Sequence, residues 1–347
     1  MKVGLIGLGV MGRNHMRVLS TLPDAEIVAI SDPIDAAREA ALVVAPAATA
    51  YVDAAELLNH PGLEAAIIAA PTRFHAALVV RAIERKIPIL VEKPLAADST
   101  EALDLVARAT AAGAIVQVGH VERFNPAVTN LFEQLHRSAG EALYAIEATR
   151  ESPLPERISD VGVVRDLMVH DIDLACAIAG SSPLSVTAVA GSRLIEGRED
   201  FAEALFIFPG GAVARIRASW LAPAKRRQLL VTTSAGAYAV SLLQRTVSFT
   251  SADPSSSVML DGFAPVQPGR TADLPAARQE PLALELRAFL AAARGEAKPV
   301  VSIHDGARAV ILADAVLESA RGGGIPVRPR LEALAAVQHP LQGSKEG

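Results

Sequence analysis

Gly7-Leu8-Gly9-Val10-Met11-Gly12 spells the pattern G-x-G-x-x-G, a weak signal alone that gains meaning from its flanks. The run Val3 to Ile6 before it predicts a strand, and Met11 to Leu22 after it, closed by Pro23, predicts a helix. A second strand, Glu26 to Ser31, leads into Asp32, twenty residues beyond Gly12. Strand, glycine turn, helix, strand and acidic residue in this order form a dinucleotide-binding fingerprint. Gly7 permits the tight turn, Gly9 lets the backbone approach a pyrophosphate, and Gly12 allows close packing of helix on strand. Met11 falls within the same phosphate-facing turn. The helix N-terminus adds free N–H groups and the positive end of its dipole. Asp32 is placed to accept hydrogen bonds from ribose hydroxyls and to repel a 2′-phosphate; Arg38 is the nearest following cation. NAD is therefore expected in preference to NADP.

The same alternation continues along the chain. A helix starts at about Asp35, and strand-length runs Ala65 to Ala69 and Ile87 to Val91 bracket a helix over His75 to Arg85. Ser99 to Ala112 reads as a helix capped by Asp98 or Ser99, with Gly113 at its left-handed end, and Ile115 to Val118 as one more strand. Alternating strands and helices call for a doubly wound parallel sheet. After Gly119 the rhythm changes. Helices are expected over Pro126 to Arg137 and Gly162 to Ile178, the second closed by Gly180. Strand-like runs follow at Ser185 to Ser192, Ala204 to Phe208, Val213 to Trp220, Gln228 to Thr233, Tyr238 to Leu242 and Val247 to Thr250. Turns such as Pro209-Gly210-Gly211 and Ser234-Ala235-Gly236 give them a hairpin pattern. Ser251 to Ala277 reads as a loop, Pro281 to Arg294 and His304 to Arg321 as two closing helices, and the end from about Gln338 as frayed. The expected fold is an α/β Rossmann domain over residues 1–121, then an α+β domain over residues 122–330 with an open, mainly antiparallel sheet.

Composition narrows the function classes. The 347 residues carry 33 Lys+Arg against 38 Asp+Glu, a net charge of -5, which argues against a nucleic-acid surface. Apolar residues make up 51% of the chain, enough for large cores, yet no run approaches the length of a membrane span. The few residues before Gly7 are too short for a signal h-region, so a cytoplasmic, globular protein is expected. A single cysteine, Cys176, excludes an internal disulfide framework and a cysteine zinc cage, and it reads as core filler. Trp220, the only tryptophan, reads the same way.

Two further strings resemble a known family. Glu92-Lys93-Pro94, at the end of a strand, resembles the Glu-Lys-Pro motif of the Gfo/Idh/MocA oxidoreductases, and Asp166-Leu167-Met168-Val169-His170 resembles their D-x-x-x-H motif. The likeness runs from Lys2 to about Pro326 with the motifs in order. It implies a Rossmann domain and a substrate domain whose sheet serves oligomerisation, so a homodimer or homotetramer is expected. Lys93 stands at the carboxyl edge of the parallel sheet, where its ammonium can meet a substrate hydroxyl, and Glu92 orients it or the nicotinamide ribose. Asp166, His170 and Asp173 share a helix face, and a carboxylate one turn from an imidazole raises its basicity. Asp171 points elsewhere and reads as structural. In the turn Pro71-Thr72-Arg73-Phe74-His75, the resemblance makes Pro71, Thr72 and His75 cofactor contacts. The alternative there is a helix cap with an exposed His75.

Gly119-His120-Val121-Glu122-Arg123-Phe124-Asn125-Pro126 and Asp160-Val161-Gly162-Val163-Val164-Arg165 are similar to a narrower branch, the UDP-N-acetylglucosamine 3-dehydrogenases. That likeness implies oxidation of a UDP-sugar to a 3-keto product that a partner aminotransferase aminates. Arg123 and Asn125 then serve as donors to the sugar or diphosphate, unless Arg123 is a salt-bridging residue and Asn125 a cap before Pro126. Lys225-Arg226-Arg227 offers three adjacent cations to a diphosphate, with a solvated turn as an equal explanation. His170 is the expected base, Lys93 polarises the same oxygen and Asp166 orients His170, although the roles of His170 and Lys93 can be reversed. Competing readings are a dehydrogenase of a free sugar, inositol or sugar acid, a hydrolase with tightly held NAD, and a non-catalytic dinucleotide sensor. No metal is implied.

Overall fold

The computed structural model describes residues 1–138, 140–155, 161–252 and 269–334. Asp160, the middle of the expected loop and the expected frayed end lie outside these residues. In chain order the first elements are β1 (Lys2–Ile6), α1 (Val10–Leu19), β2 (Glu26–Ser31), α2 (Asp35–Val44), β3 (Thr49–Tyr51), α3 (Ala54–Leu57) and β4 (Ala65–Ile68). Next come α4 (His75–Glu84), β5 (Ile89–Glu92), α5 (Ser99–Ala112), β6 (Val116–Gly119), α6 (Pro126–Arg137), β7 (Leu143–Pro153) and α7 (Val169–Ala179). The remainder is β8 (Ser185–Gly191), β9 (Phe201–Ile207), β10 (Val213–Ser219), β11 (Leu221–Thr233), β12 (Gly236–Ser241), β13 (Thr246–Ser251), β14 (Thr271–Leu274), α8 (Pro281–Ala293) and α9 (Ile303–Arg321). Chain contacts divide these into two compact units.

The first unit contains a six-stranded parallel sheet in the order β3-β2-β1-β4-β5-β6. This is the Rossmann strand order, with the chain reversing direction between β1 and β4. Its central strands are apolar on both faces, as a sheet covered by helices requires; Ala65 to Ile68 and Ile89 to Val91 are all fully buried, while the edge strand β3 is largely exposed. Helix ends follow the residues expected to make them. Asp98 accepts from the Glu101 N–H to cap α5, and Gly113 closes it with φ +59°.

The boundary differs from the expected one. The first unit takes Met1–Val121 and also Glu280–Asp314, whereas the sequence reading left that segment in the second domain. The reason is the apolar face of α8. Leu282, Leu286, Phe289 and Leu290 join one core cluster with Val3, Leu5, Met16, Leu19 and Ile67.

The second unit, Glu122–Gln279 and Ala315–Pro329, is built on an eight-stranded sheet ordered β14-β13-β12-β11-β7-β10-β9-β8. All its pairings are antiparallel except β7 with β10. Two strands were missing from the sequence reading: β7, at the centre of the sheet, and β14, inside the stretch read as loop. The helix expected from Gly162 begins instead as a π-turn over Val164–Met168 before α7. Cys176 and Trp220 are buried, as core residues should be.

Candidate active-site residues of the two units

Gly7 and Gly12 make the tight turn and the helix–strand packing that the sequence predicts. Gly7 adopts φ +87°, and a Cβ there would lie 2.7 Å from the Ala69 and Ala70 backbone. At Gly12 a Cβ would come within 1.9 Å of the Gly7 carbonyl oxygen, so only hydrogen lets α1 seat on the turn. Gly9 is the opposite case: nothing lies within 4 Å of its absent side chain. That clear space, at the N-cap of a helix with no side-chain cap, fits a pyrophosphate on the exposed N–H groups. Val10, Met11, Ile34 and Phe74 are exposed apolar side chains on the turns that follow β1, β2 and β4. Flat cofactor rings need such surfaces.

Asp32 is held by two backbone donors. Its Oδ2 accepts from the Leu8 N–H at 2.8 Å and its Oδ1 from the Ile34 N–H at 2.9 Å. The carboxylate thereby ties the glycine turn to the end of β2. Arg38 donates to the Asp32 carbonyl oxygen and pairs with Asp35. Arg13, which the sequence reading passed over, folds back to donate to the Leu8 carbonyl oxygen at 3.1 Å.

Pro71 precedes a 3₁₀ turn, Thr72–Phe74, that places buried Thr72 at the carboxyl end of β4. His75 does not behave as its expected role requires. It is 1% exposed, with Nδ1 2.8 Å from the Pro94 carbonyl oxygen and Nε2 2.9 Å from that of Ala70. Both ring nitrogens face backbone oxygens, so His75 braces the turn against the Lys93–Pro94 segment and is not a direct cofactor contact. It is also not the exposed first-turn histidine of the alternative reading. The Lys93–Pro94 bond is cis.

Glu92 ends β5 in a buried position, with Oε1 2.7 Å from Nε2 of His15, a residue of α1 that no motif flagged. Its Oε2 accepts from the Lys93 N–H at 3.3 Å. Burial pushes the Glu92 carboxyl up, but the His15 hydrogen bond, with the charges of His15, Lys93 and His75, outweighs it and holds the group below the ordinary glutamate value. Lys93, half-buried, follows at the carboxyl edge of the sheet.

In the second unit, Asp166 sits within the π-turn and His170 in the first turn of α7, both half-buried. Gly162 admits the approach of Glu199, whose Oε1 accepts from the Val164 N–H at 3.2 Å and fixes the start of this segment. Asp173 has a cation of its own. It is buried and receives both Nε and Nη2 of Arg123, at 2.6 and 2.8 Å. Arg123 therefore forms the salt bridge that the sequence reading holds as its alternative role. Asn125 likewise takes the capping role held as its alternative. Its Oδ1 caps α6 at the Ala127 N–H, and its Nδ2 donates to Glu122 and to the Leu242 carbonyl oxygen, each at 3.0 Å.

Asp171 proves structural, held by a two-pronged pair from buried Arg150 at 2.8 Å. Arg150 also donates to Glu122 at 2.8 Å. Burial would raise the Glu122 carboxyl, but the charge and hydrogen bond of Arg150, with Asn125 and Arg227, keep it below its ordinary value. The three-cation run is split by strand alternation. In the β7–β11 register Arg226 stands opposite Glu151 and Arg227 opposite Arg150. Adjacent side chains leave opposite faces of the sheet, so Arg226 pairs with Glu151 at 3.1 Å while Arg227 turns to the Glu122 face. There its charge acts on Glu122, Asp171 and Asp166.

Comparisons with known proteins agree with this geometry. Residues 1–120 match the model of the oxidoreductase family, NAD-binding Rossmann fold, and residues 141–239 match that of the GFO/IDH/MocA C-terminal domain. A UDP-N-acetylglucosamine 3-dehydrogenase from Acidithiobacillus ferrooxidans is 30% identical over 231 residues, covering 66% of this chain and 71% of that protein. An inositol 2-dehydrogenase from Saccharopolyspora erythraea is 34% identical over 193 residues, or 55% of this chain and 56% of that protein's length. A solved structure of the Acidithiobacillus ferrooxidans UDP-N-acetylglucosamine 3-dehydrogenase superposes with a TM-score of 0.80 at 26% identity, covering 93% of this chain and 98% of that one.

Proposed function

This chain belongs to the GFO/IDH/MocA family of NAD(P)-dependent oxidoreductases, and we propose that it oxidises C3 of UDP-N-acetylglucosamine to a ketone with NAD. The observation that carries the substrate reading is Arg227. Its side chain is 37% exposed, and its partner Glu122, 3.4 Å away, is already bound by Arg150 and Asn125. A cation so lightly held, on the face that carries Asp166, suits a diphosphate; an inositol carries no charge for it to meet. The Acidithiobacillus ferrooxidans relative supports the same choice. NAD is preferred because the fixed Asp32 carboxylate repels a 2′-phosphate, while Arg38 is engaged with Asp35.

NAD, held by the Gly7–Gly12 turn and Asp32, would supply the acceptor for the hydride released from C3. His170 takes the C3 hydroxyl proton, Asp166 orients His170, and Lys93 donates a hydrogen bond to the same hydroxyl oxygen. Lys93 and His170 are thus the catalytic residues of this reading, and Glu92 and Thr72 border the nicotinamide end of the cofactor. The keto product is a substrate suited to an aminotransferase.

The test incubates the protein with NAD and UDP-N-acetylglucosamine, traps the ketone chemically and reads its mass. A trapped 3-keto UDP-sugar, absent with Lys93→Ala and weakened with Arg227→Leu, is the expected result. Oxidation of myo-inositol with no trapped UDP-sugar would move the assignment to the inositol dehydrogenases, which the second relative favours.

A further inference from the structure

Inside the first unit lies a set of polar side chains that the proposed chemistry leaves unused. Glu285, on α8, is fully buried, and neither of its carboxyl oxygens has a hydrogen-bond partner. Gln117, fully buried on β6, donates from Nε2 to the Glu285 carbonyl oxygen at 3.2 Å, and its Oε1 is unpartnered. His15 binds Glu92 through Nε2 and leaves Nδ1 unpartnered. Helix α8 packs on both α1 and β5, the elements that carry His15 and Glu92. Four buried groups therefore lie on elements that pack against one another, α8, β6, α1 and β5, and one of them, Glu92, directly precedes Lys93.

Two carboxyl groups in one apolar setting cannot both stay ionised cheaply. Glu92 has His15 and Lys93 to stabilise its charge; Glu285 has neither, and burial together with the Glu92 charge drives its carboxyl far up. The proton belongs on Glu285. So protonated, Glu285 is a donor and Gln117 Oε1 an acceptor for it, directly or through a bridging water. The titratable groups facing this set are His15 from α1, Glu92 and Lys93 from the end of β5, and His75 from α4. Arg17 and Glu280 are paired with each other near the surface.

We propose that Glu285 is a positioning residue for Lys93, its uncharged carboxyl group closing with Gln117 and His15 a buried network that keeps Glu92 charged and in register with the lysine. The proposal rests on Lys93 being a catalytic group, but its test does not need the substrate to be right. The full chain carries six lysines, so ¹³C-methyl labelling gives a small set of signals in which Lys93 is assigned by Lys93→Arg. Glu285→Leu is expected to shift the Lys93 titration, and Glu285→Gln, the neutral isostere, to restore it. Infrared spectra should show a protonated carboxyl band that Glu285→Gln removes. Glu285→Gln should also gain stability over the parent as pH rises above the ordinary glutamate range, because only the unfolded parent ionises there. With an active substrate in hand, Glu285→Leu should lower kcat by about 10- to 100-fold and leave the NAD Kd unchanged. A Lys93 titration unmoved by Glu285→Leu, or moved equally by Glu285→Gln, overturns the proposal. No turnover of UDP-N-acetylglucosamine by the parent protein overturns the substrate reading alone.

Discussion

A methyl group at Gly12 would collide with the Gly7 carbonyl oxygen, whereas one at Gly9 would meet nothing of the protein. The two glycines therefore separate folding from binding. Gly12→Ala must push α1 off the turn, and overpacking of this kind costs about 1–3 kcal/mol or more. Gly9→Ala loses only a modest capping preference, of about 1 kcal/mol at most, but its methyl group occupies the approach to the phosphates. Urea unfolding without ligand should show the larger loss in Gly12→Ala. NAD titration should show affinity down by about tenfold or more in Gly9→Ala, roughly 1.4 kcal/mol. Equal loss of stability in both variants would mean that Gly9 is held by the fold and not reserved for a ligand. His75 illustrates the limit of reading single residues. Its position after a strand suggests a ligand contact, and only its surroundings show two backbone oxygens at its ring nitrogens.

At the scale of elements, Arg150 joins β7 to α7 through Asp171 and to the turn before α6 through Glu122. Arg150→Met keeps much of the volume and leaves two buried carboxylates without their cation, a loss of about 3–5 kcal/mol. The Glu122 carboxyl is held below its ordinary value, so its contribution is present at neutral pH and lost as pH falls through the folded value. The stability gap between parent and Arg150→Met should therefore narrow as pH drops below the ordinary glutamate pKa of about 4.3. A gap independent of pH in denaturant melts would refute the pairing. The same arginine explains why β7 escaped the sequence reading. Its inward positions are Ile146, Ala148 and Arg150, and a charged residue breaks the apolar alternation that marks a half-buried strand. Five strands of the parallel sheet were legible because they are apolar and punctuated by glycine or proline, whereas the short, exposed edge strand β3 carries no such signal. The partners of Arg123 and Asn125 were not, because Asp173 and Leu242 lie 50 and 117 residues away. Nor does a residue pattern announce the π-turn at Asp166, since it differs from an α-helix by a single inserted residue.

The largest scale turns on how the chain is distributed between its units. A sequence pattern that ends after β6 suggests that residues 1–121 are a domain, yet the first unit also includes Glu280–Asp314. Leu282, Leu286, Phe289 and Leu290 of α8 are buried in its core beside Leu5, Met16 and Ile67. Burying four such side chains is worth about 6–12 kcal/mol at the usual rate per residue. A whole domain is stable by only about 5–15 kcal/mol. A fragment of residues 1–121 therefore lacks most of its margin, and it also exposes the apolar surface that α8 would cover. It should show no cooperative thermal transition by circular dichroism and no NAD binding by calorimetry. Joining residues 280–314 to it through a flexible linker should restore both, because the added helix returns the missing core without any part of the second unit. Cooperative melting and NAD binding by the short fragment alone would show that α8 is an accessory to this core and not a component of it.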